Sequence, residues 1–154
     1  MQIRLAQTED IQDINSLLYQ VAAVHHNGRP DLFKAGAKKY NDKELADIID
    51  NKDTPIFVAE SEGRVVGYCF CVITEVTSHV LTQIKNLYID DLCVDENVRG
   101  QKIGQRLYAF VREYAKKSGC YNITLNVWSC NPGAMRFYEK LGLVPQKIGM
   151  EEIL

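Results

Sequence analysis

The feature that most constrains this fold is an apolar run from Val65 to Thr74 that no charged residue interrupts. A strand places successive side chains on opposite faces of a sheet, so an unbroken apolar run needs cover on both faces. A second apolar run, Ile56 to Glu60, precedes it across the polar turn Ser61–Arg64, and this spacing is typical of a β-hairpin. The sequence therefore predicts a central hairpin with helices on both sides of its sheet.

Hydrophobic periodicity predicts the remaining elements. Further strands are predicted at 2–5, 85–94 and 123–127, and the tail 143–154 is predicted as one more. Helices are predicted from a Thr8 cap to about residue 25, from Asn41 or Asp42 to near Asn51, from 103 to Gly119, and from the Asn131-Pro132 start to Gly142. The order β-α-α-β-β-β-α-β-α-β indicates an α/β fold with a mixed sheet.

Composition limits the class of protein further. The chain has 154 residues, 46% of them hydrophobic, and a formal net charge of −2. That length fits a single domain, 1–154, with a core that needs no disulfide or metal. The charge balance argues against a nucleic-acid partner, and no apolar segment is long enough to span a membrane. Without a signal-peptide pattern at the start, we expect a cytoplasmic protein.

The cysteines and histidines follow no metal or disulfide spacing. The five cysteines include no C-x-x-C pair, and three of them lie in apolar strand-like runs, at Cys69, Cys71 and Cys93. A free cysteine in such a run behaves as a small hydrophobic side chain. We therefore expect reduced structural thiols and no metal site.

One candidate ligand site is the segment Arg99-Gly100-Gln101-Lys102-Ile103-Gly104, between a predicted strand and a predicted helix. The free amides and the positive dipole end of a helix N-terminus attract phosphate groups. Gly100 and Gly104 let the backbone approach an anion, and Arg99 and Lys102 add positive charge. Both common nucleotide motifs, G-K-[ST] and G-x-G-x-x-G, are absent. The alternative is an ordinary strand-to-helix turn with charged surface residues.

A second candidate lies in the last predicted helix. Asn131 and Tyr138 are seven residues apart, about two helical turns, so both lie on nearly the same face. Phe137 and Leu141 are the predicted core residues, which leaves Tyr138 at the boundary with a hydroxyl that can donate a proton. The alternative is a packing tyrosine whose hydroxyl contacts water.

Together these segments resemble the GNAT superfamily of acetyl-CoA-dependent N-acetyltransferases. The family's turn, Gln/Arg-x-x-Gly-x-Gly/Ala, is matched at Arg99, Ile103 and Gly104, whereas Lys102 stands where glycine is usual. The family's late helix, Asn-x-x-Ala-x-x-Phe-Tyr-x-x-x-Gly, is matched at Asn131, Ala134, Phe137, Tyr138 and Gly142. The resemblance implies the GNAT fold: a mostly antiparallel central sheet, helices on both faces, and strands that splay apart at the cofactor site.

The resemblance also implies roles for individual residues. The backbone of Leu92, Cys93 and Val94 would pair with the pantetheine arm of acetyl-CoA as an added strand does. The Arg99–Gly104 amides would hold the pyrophosphate, and Asn131 would contact the cofactor near its thiol. Tyr138 would be the general acid that protonates the departing thiolate.

The attacking amine must be neutral, so a base or a water leading to one is needed. Asp90 is the first candidate, because the run Tyr-Ile-Asp-Asp-Leu-Cys-Val resembles the Leu-Glu-Asp-Phe-Phe-Val segment of the diamine acetyltransferases, whose Glu falls at Asp90. Strand alternation predicts that only one of Asp90 and Asp91 faces the acceptor cleft. A backbone N–H near Cys93 could stabilise the oxyanion. The alternative is that both carboxylates are merely solvated or pair within a turn.

Candidate acceptor contacts lie where the family borders its acceptor site, after the first helix and at the end of the long strand. They are His26 with its neighbour His25, Asp31, Phe33, Glu75 and Asp91. A histidine titrates near neutral pH and could take the amine proton, although tandem surface histidines are common. The four acids Asp31, Glu75, Asp90 and Asp91 favour a cationic acceptor.

The sequence thus predicts direct transfer of an acetyl group from acetyl-CoA to a primary amine, on a small molecule or a peptide, within a ternary complex. Two alternatives stay open. One is a non-catalytic acyl-CoA-binding or regulatory domain, and the other is an acyltransferase for a longer acyl-CoA. No metal, nucleic acid or membrane is expected to take part, and a homodimer is compatible with the resemblance.

Overall fold

One five-stranded sheet organises the chain, and the computed structural model describes all residues from 1 to 154. The strands lie in sequence order across the sheet: β1 (Gln2–Leu5), β2 (Ile56–Ser61), β3 (Arg64–Glu75), β4 (Lys85–Val94) and β5 (Asn122–Leu125). The first four are antiparallel to their neighbours, and β5 runs parallel to β4. The predicted mixed sheet with a central hairpin is confirmed.

Four helices cover the sheet: α1 (Ile11–Gly28), α2 (Asp42–Asp50), α3 (Ile103–Lys117) and α4 (Pro132–Lys140). The Asn41 side chain accepts from the Glu44 amide while the Glu44 carboxylate accepts from the Asn41 amide, both at 2.8 Å, so two helix-end donors are satisfied reciprocally. Asn131 caps α4 by accepting from the Ala134 amide at 3.1 Å. None of the helices combines the length and the apolar character that crossing a bilayer requires.

Strand β3 lies at the centre and is buried on both faces. Tyr68 and Phe70 pack with α1 and α2 side chains on one face, whereas Cys69 and Cys71 pack with α3 side chains on the other. Burial of each large apolar side chain stabilises the fold by roughly 1.5–3 kcal/mol. This explains why the unbroken apolar run from Val65 onward occupies the middle of the sheet.

The pairing between strands β4 and β5 ends at Ile89 and Leu125, and the two strands separate beyond these residues. Residues 91–94 of β4 stay paired with β3 but have no partner on the β5 side. Strand β5 therefore ends two residues before its predicted end at 127. We call the opening between β4 beyond Ile89 and the chain beyond Leu125 the wedge, and it is the splay that the resemblance implied.

The ends of α1 differ from the prediction. Thr8 begins a short 3₁₀ turn, and Asp10 precedes α1 without capping it, because its carboxylate accepts instead from the Gln7 amide at 2.7 Å. The helix continues to Gly28, so His25 and His26 lie in its last turn rather than after it. A Cβ at Gly28 would stand 2.8 Å from the Cys130 Sγ atom, so close packing requires a glycine there.

The predicted final strand is wrong, because residues 143–154 form no strand pairing. Val144, Ile148 and Met150 are 81%, 78% and 88% exposed, so the apolar alternation that suggested a strand finds no surface to cover. Strands need a hydrogen-bonded neighbour, and none is formed here. An ion pair between Arg29 and Glu151 attaches the tail to the end of α1.

Candidate active site

The Arg99–Gly104 turn presents unpaired backbone donors. The amides of residues 100–105 donate to no group of the protein, and no side chain caps the start of α3. The turn begins five residues after Val94, which places it at the open end of the wedge. Free amides, the positive end of α3 and the exposed Arg99 side chain together suit an anionic group such as a phosphate.

Gly100 and Lys102 of this turn share an unusual backbone conformation. Gly100 has φ +85° and Lys102 has φ +61°, so both adopt the left-handed region. A non-glycine residue there costs roughly 1–2 kcal/mol, which is the physical reason for a glycine at the position that Lys102 occupies. The chain nevertheless makes the turn. Gly104 has a different role, because a Cβ there would lie 3.2 Å from the Phe137 ring of α4.

At Cys93, only the backbone groups lie at the free edge of β4, because the side chain points into the core. The Cys93 thiol is buried on the α1 side and donates to the Leu17 carbonyl at 3.6 Å. Burial raises the pKa of this thiol to about 12, with a further contribution from Asp91. A thiol held protonated is a poor nucleophile. Leu92 and Val94 face the α3 side of the sheet, where they pack against the core.

Tyr138 lies on α4 beside the wedge. Its ring is half-buried and 5.1 Å from the Phe137 ring, and its hydroxyl has no hydrogen-bond partner in the protein and is not sealed in the core. Burial raises the pKa of this phenol well above its ordinary value, and the charges of Cys69 and Asp91 raise it further. The group is therefore a protonated donor at neutral pH, with its hydroxyl unengaged.

The paired carboxylates of β4 correct one expectation from the sequence. Phe70 pairs with Asp91 but the next residue, Cys71, pairs with Ile89, so Asp90 is the extra residue of a β-bulge. A bulge interrupts the strict alternation of side chains. The Asp90 carboxylate reaches Tyr40 and the Asp91 carboxylate reaches Tyr68, both on the α1–α2 side. Strand alternation predicted opposite faces for these two side chains, and that prediction was wrong because of the bulge.

Asp91 is the more buried of the two carboxylates. It accepts a hydrogen bond from the Tyr68 hydroxyl at 2.8 Å. Burial raises the pKa of Asp91 above its ordinary value, while the Tyr68 hydrogen bond and the charges of Lys39 and His25 oppose the rise. Its charge also helps to raise the pKa of the Tyr138 phenol.

Asp90 is engaged by two groups of the loop before α2. The Tyr40 hydroxyl donates to its Oδ2 atom, and the Lys39 Nζ atom lies 2.8 Å from the same oxygen. The Tyr40 ring stacks on Phe70 at 5.6 Å, which fixes this phenol beside the bulge. Burial raises the pKa of Tyr40, and the hydrogen bond to Asp90 adds to the rise, so this phenol also remains protonated.

A second group of aromatic rings joins the last turn of α1 to the segment after β5. Phe33 contacts His25 at 5.0 Å and meets Trp128 edge-on at 5.1 Å between ring centroids. The His26 Nδ1 atom donates to the Phe33 carbonyl at 2.7 Å and so holds the loop in place. Burial lowers the pKa of His25, against the opposing charge of Asp91, so its imidazole is neutral at pH 7.

We call the side chains around Asp90 and Asp91, together with the rings of His25, Phe33 and Trp128, the cluster. Not every residue predicted for the acceptor site belongs to it. Asp31 forms an ion pair with Arg29 at 2.8 Å, and its side chain is 51% exposed. Glu75 is exposed and pairs with Lys85 at the far end of β3. It lies five residues beyond Phe70, about 17 Å along a strand. His26 has a structural contact, the hydrogen bond to the Phe33 carbonyl. Phe33 belongs to the cluster because its ring contacts that of His25.

Four residues of the cluster were not predicted from the sequence: Lys39, Tyr40, Tyr68 and Trp128. Tyr68 offered a signal, because it lies on the same strand face as Phe70 and a tyrosine hydroxyl inside an apolar run needs a partner. Lys39 and Tyr40 lie in a loop without periodicity, where no pattern marks them. No three His, Cys, Asp or Glu side chains are grouped so as to hold a metal ion.

Comparison with known proteins adds three findings. The crystal structure of a mutant BH1408 protein from Bacillus halodurans covers all of this chain and 99% of its own, with 29% identity and a TM-score of 0.96. An uncharacterized N-acetyltransferase of Methanocaldococcus jannaschii (MJ1207) is 32% identical over 66% of this chain and 44% of its own length. A glucosamine 6-phosphate N-acetyltransferase of Arabidopsis thaliana is 30% identical over 55% of this chain and 64% of its own.

The alignments thus span about half the length of the curated relatives. The model of the Acetyltransferase (GNAT) family matches residues 21–143, which is more than half of the chain. The resemblance of the Arg99–Gly104 turn and the Asn131–Gly142 helix therefore reflects descent as well as local pattern. This chain belongs to the GNAT acetyltransferase family.

Proposed function

We propose that this protein transfers the acetyl group of acetyl-CoA to a primary amine of a small, cationic acceptor, by direct attack within a ternary complex. One observation carries the proposal: the wedge beside β4, which leads to the free amides of α3, is flanked by a buried carboxylate, Asp91, whose charge helps to raise the pKa of the Tyr138 phenol. A base, an acid and an anion-binding turn are the three parts that this reaction needs.

Acetyl-CoA would enter as a substrate along the wedge. Its pyrophosphate would accept from the amides of the Arg99–Gly104 turn, and its pantetheine arm would run along the unpaired edge of β4 at Leu92–Val94. This route brings the thioester toward the bulge at Asp90. The Asn131 side-chain oxygen is committed to the α4 cap, so its NH₂ group is the part available to the cofactor.

Asp91, rather than Asp90, is the better candidate for the base. Its raised pKa brings it closer to the value that suits a general base at neutral pH. Asp90 already holds Tyr40 and Lys39 and is placed to attract the ammonium of an acceptor. The rings of Tyr40, Phe33 and Trp128 add faces that favour a cation.

Tyr138 would complete the reaction by protonating the departing thiolate. The Cys93 thiol stays protonated in the core, so no acetyl-cysteine intermediate is proposed, and the amine attacks the thioester itself. A backbone amide near Cys93 remains our candidate for stabilising the oxyanion. We also keep the cytoplasmic location as a prediction.

The test is release of free CoA thiol from acetyl-CoA with a panel of diamines, polyamines, aminoglycosides, amino acids and N-terminal peptides. We expect release with cationic small amines and little with neutral peptides. Binding of acetyl-CoA without release on any amine would instead favour a non-catalytic acyl-CoA-binding domain. Running the active amine with longer acyl-CoA donors distinguishes acetyl transfer from transfer of a longer chain.

The anion-binding turn has its own test. Arg99→Glu should weaken acetyl-CoA binding by roughly tenfold to a hundredfold, because a charge-assisted hydrogen bond contributes about 1.5–3 kcal/mol and the new carboxylate repels the phosphates. Calorimetric titration measures the dissociation constant. Arg112→Glu is the matched control, since Arg112 is an exposed arginine farther along α3. Equal affinity in both variants and the parent would refute the phosphate assignment.

A further inference from the structure

A primary amine of the chain itself occupies the acceptor side of the candidate site. The Lys39 Nζ atom lies 2.8 Å from the Asp90 Oδ2 atom, 3.4 Å from the Asp90 carbonyl and 5.5 Å from the centre of the Tyr40 ring. Its charge also acts on Asp91 and on His25. These are the groups to which the proposed function assigns the ammonium of an external acceptor.

The neighbouring lysines have other partners. Lys38 donates to the Asn15 side chain at 2.6 Å and forms an ion pair with Asp42 at 2.9 Å, and Lys43 pairs with Asp47. The Lys39 side chain is 44% exposed and projects from the loop between α1 and α2. It therefore keeps the freedom to move along the β4 bulge, where the acetyl-CoA route ends.

We propose that Lys39 is a self-acetylation site, modified when acetyl-CoA is bound and no external amine is present. The inference rests on the proposed function, because the acetyl donor and the proton-transfer groups are those of the same site. A flexible lysine tethered next to the thioester reacts at a high effective concentration, so it needs no binding step of its own.

The chemistry balances with groups already placed. The Lys39 ammonium gives a proton to Asp91, and the neutral Nζ lone pair attacks the thioester carbonyl carbon. A new N–C bond forms as the C–S bond breaks, and Tyr138 gives its proton to the CoA sulfur. The attacking nitrogen then loses its second proton, which returns through solvent to the Tyr138 phenolate. The products are an N-acetyl-lysine and the free CoA thiol, and Asp91 releases the first proton to solvent. The modification removes the positive charge of Lys39 that pairs with the Asp90 carboxylate.

The test incubates the whole protein with acetyl-CoA and no added amine, and follows acetylation of each lysine by peptide mass spectrometry over time. We expect Lys39 to be acetylated at least about tenfold faster than the exposed Lys34 and Lys52, because it is held beside the thioester. Tyr138→Phe should remove that advantage. Lys39→Arg keeps a positive charge near Asp90 and should abolish the modification at this position.

The same preparation is assayed for thiol release with the amine panel. Release on an external amine without preferential Lys39 acetylation would overturn this inference and leave the proposed function standing. Acetylation of Lys39 at the rate of Lys34 and Lys52, unchanged by Tyr138→Phe, is background chemistry and would also overturn it. Absence of release on every amine, together with unmodified Lys39, would count against both.

Discussion

Asp91→Asn should lower kcat by roughly 10²–10⁴-fold, the usual contribution of a positioned base, while acetyl-CoA binding stays close to that of the parent protein. The carboxylate is buried and lies on the α1–α2 side of β4, so it can accept the amine proton without contacting the cofactor phosphates. Steady-state kinetics with the best amine of the panel gives kcat, and calorimetry gives the affinity for acetyl-CoA.

The pH profile separates this role from a structural one. Burial raises the pKa of Asp91 above its ordinary value of 3.8, and a base works only when deprotonated. The value of kcat/KM should therefore fall as the pH drops through that raised pKa. Tyr68→Phe removes a hydrogen bond that lowers the pKa of Asp91, so its acidic limb should move to higher pH.

Tyr40→Phe is the matched control for the pH experiment. It removes the same hydroxyl group from the other carboxylate, Asp90, and should leave the acidic limb where it is in the parent. A limb that moves with Tyr40→Phe and not with Tyr68→Phe would transfer the base role to Asp90. Asp91→Asn should not unfold the protein, because a carboxyl group with a raised pKa is itself destabilising when ionised.

Tyr138→Phe should lower kcat by about a hundredfold or more, because the thiolate then leaves without a proton donor. The hydroxyl has no hydrogen-bond partner in the protein, so its removal leaves no buried group unpaired. The ring still packs beside Phe137, and the melting temperature and acetyl-CoA affinity should change little.

Tyr121→Phe is the matching control for Tyr138→Phe. Tyr121 is 76% exposed on the short connection between α3 and β5, and losing its hydroxyl should leave kcat unchanged. Unchanged turnover in Tyr138→Phe would remove this tyrosine as the general acid. Equal losses in the two variants would point to a general effect on stability rather than to chemistry.

The fold was largely predictable because its strongest signals are local. The apolar run that begins at Val65 can be satisfied only where both sheet faces are covered, and the structure places β3 there. Asn41 and Asn131 cap helices through hydrogen bonds that span three residues. The same reasoning gave a wrong prediction for the tail 143–154, because an apolar pattern produces a strand only where the edge of a neighbouring strand is free to pair with it.

The free amides of the Arg99–Gly104 turn, our candidate anion site, were predictable for the same reason. Its donors are backbone amides of consecutive residues, and their orientation follows from the start of a helix rather than from distant contacts. The unusual Lys102 is accommodated within the turn itself, by a left-handed φ of +61°. Tyr138 could be placed at the boundary between core and solvent on its helix, although its unengaged hydroxyl became evident only in the structure.

The acceptor side could not be predicted, because it depends on contacts between segments far apart in the chain. The bulge at Asp90 turns both carboxylates to one face, and strand alternation, which assumes a regular ladder, cannot anticipate it. Lys39 and Tyr40 reach Asp90 across about fifty positions, from a loop that has no period.

The amino-acid pattern alone thus accounts for the central hairpin, the starts of α2, α3 and α4, the free amides of the Arg99–Gly104 turn and the position of Tyr138 on its helix. Each depends on hydrogen bonds or hydrophobic periodicity within one or two elements. Tertiary packing decides which carboxylate is buried, which one holds Lys39, and why Glu75 lies away from the site. Those outcomes depend on burial and on the register between strands, which no local stretch of sequence encodes.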